Sequence, residues 1–312
     1  MRILIADDDP FSRRFLQKSL EKWGYEPVLA DDGLKAMEIL ERDDAPHLAI
    51  MDWMMPGLDG LEVCRRLRKS GASRPIYIIM LTAKGEVEDL VQAMDAGADD
   101  FTTKSFDVRE LRVRLRAGER IVKLEETLRR MATRDALTEL WNRAAILDML
   151  ERELARSARK EGAVGAIMVD VDHFKQVNDT RGHAGGDAVL VEIARRLKSG
   201  LREYDAAGRY GGEEFLIVLP GAGADEAAEV AQRLRLAVAA EPIQLAREQV
   251  QVTASFGAAV SATDQNLDAD ALIRAADEAL YMAKRGGRNR VELARGCGLA
   301  AASEAAAMSA GD

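Results

Sequence analysis

The chain has 312 residues, enough for two domains of ordinary size with a hydrophobic core each. A hydrophobic share of 47%, a charged share of 31% and a formal net charge of -9 fit a soluble globular protein and speak against a general binder of nucleic acid or of anionic membranes. Cys64 and Cys297 lie far apart with no C-x-x-C, which indicates neither a disulfide framework nor a zinc site, and no window approaches a membrane-spanning apolar run, so a cytoplasmic location is expected.

In chain order, the apolar run Ile3 to Ala6 ends in Asp7-Asp8-Asp9-Pro10, and a helical pattern follows through Phe11, Phe15, Leu16 and Leu20. Runs resembling strands recur at 27–30, 48–51, 76–81 and 99–102, each separated from the next by a helix-length segment. Uninterrupted apolar strands alternating with helices predict an α/β, doubly wound, five-stranded parallel sheet, whose functional groups gather at the C-terminal strand ends. That rule brings Asp7, Asp8, Asp52, Thr82 and Lys104 to one place. Three crowded carboxylates repel one another unless a cation intervenes, and magnesium together with Lys104 would stabilise a phosphoryl group on Asp52, with Thr82 donating a hydrogen bond to it.

The segments Ile5 to Pro10, Met51 to Gly60, Leu81-Thr82-Ala83 and Gly97 to Phe106 together resemble the response-regulator receiver domain over about residues 1–120, a flavodoxin-like fold. The resemblance implies that Asp52 is the phosphoacceptor and that Asp7, Asp8, Asp52 and the Met54 carbonyl face magnesium. It makes Thr82, Phe101 and Lys104 the switch residues, and a histidine kinase the phosphoryl donor. One departure is Ser105, where the family usually has a proline, often after a cis peptide. A cis bond before a non-proline residue costs about 2.5 to 4 kcal/mol, so a trans loop is expected.

From Asp107 the last helix of this segment is expected to run on. Val108, Leu111 and Leu115 are followed by Ile121, Leu124, Leu128 and Met131 in coiled-coil spacing, making 107–134 a helical linker. The pattern slips at Gly118, which reads as a place for rotation or bending, with an ordinary amphipathic helix as the alternative.

A second domain is expected over 135–293. Helices are predicted at 144–160, 187–198, 224–239 and 270–283, and strands at 164–169, 204–210, 214–219 and 250–260, in a mixed or antiparallel sheet. Its focus is Arg209-Tyr210-Gly211-Gly212-Glu213-Glu214-Phe215. Adjacent glycines predict a tight hairpin, and their missing side chains let a bulky phosphate ligand approach bare backbone. Asp170 and Asp172 stand at the end of a strand and are expected to face opposite ways, so that only one joins Glu213 and Glu214. Carboxylates from neighbouring strands plus a backbone carbonyl would hold magnesium against a triphosphate.

Together with Asp135 to Arg143, Asp170 to Asp179, Gly182 to Asp187, Ser255-Phe256-Gly257, Ala276 to Tyr281 and Lys284 to Asn289, this hairpin resembles the GGDEF family of diguanylate cyclases in its Gly-Gly-Glu-Glu-Phe form. The resemblance implies a palm-like α+β cyclase fold and condensation of two GTP into cyclic di-GMP and two pyrophosphates by a homodimer. It implies that Asp170, Glu213 and the Val171 carbonyl bind magnesium, with manganese as a substitute, and that Glu214 is a further ligand or the group that helps to activate the ribose hydroxyl. Asn178 and Asp187 would read the guanine edge, Lys284 and Arg288 would clamp phosphates, and Gly211 and Gly212 would line the nucleotide.

Arg202-x-x-Asp205, with Arg233 as a second arm, has the form of the family's inhibitory product site. The rival reading is a catalytically silent response regulator serving as a nucleotide sensor or a protein-binding output; the intact acidic and basic set speaks against it. The tail from Ala294, rich in Ala, Ser and Gly, is expected to be disordered.

Overall fold

The computed structural model describes residues 1–42, 44–69, 75–82, 87–104, 107–160, 162–245, 248–261 and 268–294. Ser105, Cys297 and tail residues 295–312 lie outside the described residues. The chain divides between Arg130 and Met131 into two compact units.

The first unit runs β1 (Arg2–Ala6), α1 (Pro10–Lys22), β2 (Glu26–Ala30), α2 (Gly33–Leu40), β3 (Leu48–Asp52), α3 (Gly60–Lys69), β4 (Tyr77–Thr82), α4 (Val87–Asp95), β5 (Asp100–Thr103) and α5 (Val108–Thr133). All strands are parallel, in the order β2-β1-β3-β4-β5. Every residue of β3 and β4 is buried, which is why these strands read as continuous apolar runs rather than alternating ones. Ile3, Ile5, Ile50 and Ile79 face α1 and α5, while Leu4, Ala49, Met51 and Ile78 face α2, α3 and α4. Helix α1 starts where expected because Asp9 accepts from the N–H groups of Phe11 and Ser12 and Pro10 occupies the first turn. Cys64 is buried in α3.

Gly118 is not the hinge that the sequence suggests. It lies inside α5, and a Cβ there would come within 2.4 Å of the Tyr77 ring, so the glycine makes room for close packing against β4. The buried line of α5 is Leu111, Leu115, Gly118 and Val122, at spacings of four, three and four, with no slip. Ile121, Leu124, Leu128 and Met131 form a second, exposed line.

The second unit contains α6 (Arg143–Lys160), β6 (Val164–Val171), α7 (Phe174–Ser199), β7 (Ala206–Gly211), β8 (Glu214–Pro220), α8 (Ala224–Ala239), β9 (Ile243–Gln244), β10 (Gln249–Val250), β11 (Ala254–Val260), α9 (Ala269–Arg285) and β12 (Val291–Leu293). Its sheet, ordered β12-β11-β6-β8-β7, is antiparallel except where β12 lies parallel to β11. Helices α7 and α8 cover one face and α6 and α9 the other.

Three expectations are corrected. The helix expected at 187–198 begins at Phe174 and kinks at Gly182, whose φ of 71° and ψ of 171° break the helical run. The strand expected over 250–260 is divided, because Gln249 and Val250 pair with β9 in a separate hairpin. The strand expected from Tyr204 starts at Ala206, after the turn that Asp205 and Arg202 close.

Two contacts fix the geometry of this unit. A Cβ on Gly257 would lie 2.1 Å from the Leu280 nitrogen and 2.2 Å from the Ala276 oxygen, so α9 rests directly on β11 at a residue without a side chain. Asn142 caps α6 by accepting from the Ala145 N–H at 3.0 Å, and its own amide donates to the Ala132 carbonyl at the end of α5.

Candidate functional site

The β7–β8 hairpin turns at Gly212, whose φ of +47° suits a residue without a Cβ, and Gly211 pairs with Glu214 after a bulge. In the same sheet Asp170 lies opposite Glu214 on β8 and opposite Ser255 on β11. The Val171 N–H donates to the Glu213 carbonyl at 3.3 Å, docking the turn onto the end of β6. Because Leu280 sits over Gly257, the next turn of α9 carries Lys284 to this end of the sheet, where its ammonium is 2.8 Å from the Asp170 carboxylate.

Burial pushes the Asp170 carboxyl above its ordinary range, opposed by the Lys284 hydrogen bond and charge and reinforced by Glu213 and Asp172. Burial likewise raises Glu214, aided by the charge of Asp170. Carboxylates so disfavoured as anions, with a carbonyl beside them, form a donor set that suits a hard divalent cation. The expectation that Asp172 faces away from Asp170 is corrected: side chains two residues apart on a strand share a face, and Ser255, opposite Asp170 in register, reaches Asp172 with its hydroxyl, so what separates the two acids is their partners. Thr253 Oγ1 and Ser255 Oγ each donate to Asp172 at 2.7 Å and the Asn289 N–H donates at 3.0 Å.

Asn178 and Asp187 lie on the two limbs of kinked α7. A Cβ on Gly186 would meet Asn178 Oδ1 at 2.0 Å, so that glycine lets the Asn178 amide fold across the kink; Asp187, the next residue, is exposed. Helix α9 ends at Arg285, and Arg288 adopts a φ of +63° in the following loop, so Lys284 and Arg288 do not share a helical face. Arg209 ties the hairpin to the entry of the unit. Its Nε donates to the Gly212 carbonyl at 2.9 Å and its guanidinium lies 3.3 Å from Asp135.

In the first unit Asp7, Asp8 and Asp52 present carboxylate oxygens all within 4.8 Å of one another. Among the described residues this is the one such close acidic group, and Asp170, Glu213 and Glu214 do not converge as tightly. Lys104 reaches across to Asp52 at 2.7 Å and Asp7 at 3.3 Å. Burial raises the Asp52 carboxyl despite Lys104; burial also works against the Lys104 ammonium, but Asp52 and Asp7 outweigh it and hold that pKa above normal. Thr82 is buried at the end of β4, Phe101 is half-buried, and the Met54 side chain is 70% exposed.

Residues 132–290 match the family described as diguanylate cyclase, GGDEF domain, and residues 3–116 match the response regulator receiver domain. The chain belongs to the GGDEF diguanylate cyclase family. The response regulator PleD of Caulobacter vibrioides is 32% identical over 301 residues, an alignment covering 93% of this chain and 65% of PleD, so the chain spans about two thirds of that relative's length. A structure of the coiled coil and GGDEF domain of DgcB from Caulobacter crescentus, in complex with c-di-GMP, aligns with a TM-score of 0.55 at 33% identity, covering 60% of this chain and 98% of that one. Diguanylate cyclase SiaD from Pseudomonas aeruginosa, solved with its activator SiaC, aligns with a TM-score of 0.52 at 41% identity, covering 60% and 71%.

Within the GGDEF domain, Arg202 and Asp205 close a short turn, the Asp205 carboxylate accepting from the Arg202 N–H at 2.9 Å. The Arg202 guanidinium is held by Glu226 of α8 and by the Tyr204 hydroxyl. Arg233 donates from α8 to the Gly200 carbonyl at 2.9 Å. A cavity of about 400 Å³ opens beside this turn, lined by Arg134, Trp141, Lys198, Arg202 and Asp205. The Asp172 anchor, the Arg209 bridge and the Gly257 contact escaped sequence reading. For Asp172 the D-x-D spacing was the available signal, but it says only that the side chain shares the face of Asp170. No helix among the described residues is long and apolar enough to cross a membrane.

Proposed function

We propose that the chain is a phosphorylation-controlled diguanylate cyclase, with a receiver domain over 1–120, a helical linker over 107–134 and a cyclase domain over 135–293. The observation that carries this reading is the register of β6 against β8, which sets Asp170 beside Glu214 and the Gly212 turn, with Lys284 at 2.8 Å. Asn178 and Asp187 hold the guanine edge; a carboxylate there accepts from the N1 and N2 donors that adenine lacks. Arg288 and Lys284 hold the β and γ phosphates and orient the α-phosphorus. Asp170, Glu213 and the Val171 carbonyl would hold a divalent cation, magnesium by preference, which would supply positive charge beside the phosphoryl oxygens.

In each of two reactions a 3′-hydroxyl oxygen bonds to the α-phosphorus of the other nucleotide as the bond to pyrophosphate breaks, and the hydroxyl proton leaves through Glu214. Its raised pKa makes that carboxylate a stronger base than an ordinary one. One domain holding one GTP presents one half of this chemistry, so the active form is a two-fold dimer. In the receiver, a histidine kinase transfers a phosphoryl group to Asp52, and Asp7, Asp8, Asp52 and the Met54 carbonyl would hold the cation beside it. Thr82, Phe101 and Lys104 respond to the new charge. The product also binds at Arg202, Asp205 and Arg233 as an inhibitor, after Glu226 releases Arg202; Arg202→Ala is expected to abolish product inhibition, and an unchanged inhibition curve would remove that site from the proposal.

The deciding experiment is incubation of the purified protein with GTP and magnesium, with and without beryllofluoride, resolving products by chromatography and offering ATP in competition. Cyclic di-GMP and pyrophosphate in a ratio of one to two are expected, with ATP unused. Intact GTP after receiver activation would reject the reading.

A further inference from the structure

We infer that Asp172 is the positioning residue of the phosphate-binding loop, tying the strand that bears Asp170 to the loop that presents Arg288. This rests on the cyclase reading above and extends it to a residue that reading leaves without a task.

The loop between α9 and β12 has an unusual backbone. Gly287, Arg288 and Asn289 follow one another with φ of +118°, +63° and +45°. Glycine enters this region freely and asparagine tolerates it, but an arginine there is held by its surroundings. The restraints can be named. The Arg288 N–H donates back to the Ala283 carbonyl at 3.1 Å, and the Arg290 carbonyl accepts from the Phe256 N–H of β11 at 2.9 Å. The Asn289 N–H donates to Asp172 Oδ2 at 3.0 Å, and Arg235 of α8 donates to Asn289 Oδ1 at 2.8 Å. Among these acceptors Asp172 stands apart, because it is 5% exposed and is itself fixed by Thr253 and Ser255.

A buried carboxylate surrounded by two hydroxyl groups and one main-chain N–H is a set of charge-assisted hydrogen bonds whose geometry has little freedom. Asp170 and Asp172 therefore divide the work of one strand end. The first faces the cation and Lys284, and the second holds the backbone from which Arg288 projects. Ser255 belongs to the same arrangement, since it lies opposite Asp170 in register while its hydroxyl fixes Asp172. The arrangement discriminates by phosphate number: a loop that slackens loses its hold on the terminal phosphates and leaves the guanine contacts on α7 untouched.

The test uses the full chain and equilibrium binding of α,β-methylene GTP, which cannot release pyrophosphate, beside GMP, which lacks the terminal phosphates. Asp172→Asn is expected to weaken α,β-methylene GTP about tenfold, or about 1.4 kcal/mol, and to leave GMP within about twofold. In an Arg288→Ala background the same change is expected to cost nothing further, since the two act on one contact. Hydrogen exchange of the 286–290 amides in the nucleotide-free protein is expected to quicken in Asp172→Asn. Should that variant fail to fold, Arg235→Ala releases the same loop from its other side and is expected to give the same pattern.

Equal weakening of GMP and the triphosphate, full additivity with Arg288→Ala, or unchanged exchange at 286–290 would overturn the inference and leave the cyclase reading standing. A wild-type chain that binds neither nucleotide would overturn the cyclase reading, and this inference with it.

Discussion

At the scale of single residues, the site depends on atoms that are absent by design as much as on those present. Gly257→Ala would drive a methyl group into the backbone of α9, which no rotamer can relieve. We expect a loss of about 1 to 3 kcal/mol or more in denaturant unfolding. An unchanged midpoint would mean that α9 is not seated on β11 as described. Asp170 gives a pH signature. Its pKa is raised by burial, so the folded chain keeps a proton that the unfolded chain has released, and stability falls as pH rises through that window. Without added metal, Asp170→Asn should melt above the native protein at neutral pH, and the gap should close below pH about 4, where an ordinary aspartate is also protonated. Activity should fall by at least the ~100-fold that loss of a metal's outer partners costs. A variant that melts lower at neutral pH would contradict the burial argument. These residues were unequally legible in the sequence. Asp7, Asp52 and Lys104 could be gathered because parallel strands end together, whereas the partners of Asp172 lie 81, 83 and 117 residues further along the chain, the last of them on a loop without a pattern of its own.

Among the elements, α5 shows what periodicity omits. Counting only bulky apolar residues makes the pattern slip after Leu115; admitting Gly118 as an inward position removes the slip and separates a buried line from an exposed one. The two readings predict opposite signs for Gly118→Ala. A hinge would stiffen and gain about 1 kcal/mol of helix propensity, but the added methyl group would lie 2.4 Å from the Tyr77 ring, which predicts a net loss of roughly 1 to 2 kcal/mol. Pairing it with Tyr77→Ala should recover most of that loss, and additive behaviour of the two changes would argue against direct contact. The first limb of α7 was hidden for another reason. Asn178, Asp179 and Thr180 are weak helix formers, and the Gly182 kink interrupts the apolar spacing before Val189 and Ile193 restore it.

For the molecule as a whole, the proposed chemistry requires two cyclase domains and so makes activity a property of association. The exposed line Ile121, Leu124, Leu128 and Met131 is short, which suits a weak pair open to control. Turnover per chain should rise with protein concentration, beryllofluoride should move that rise to lower concentration, and Leu124→Asp with Leu128→Asp should reduce turnover at least about tenfold at limiting protein. Turnover that is flat across about two decades of concentration would count against a dimeric active form. The fold class of both units was legible because each rests on strand patterning, but the sheet edge at β12 was not, since three residues are too few to carry a pattern. The Arg209 bridge bears on how such control is delivered. Asp135 follows the last turn of α5 by two residues, and Arg209 joins it to the Gly212 carbonyl. Under the proposed control, torque on that last turn would reach the glycine corner through one guanidinium engaged at both ends, like a pawl between two teeth. A lysine in its place, gripping at a single point, would let the corner idle while the shaft turned.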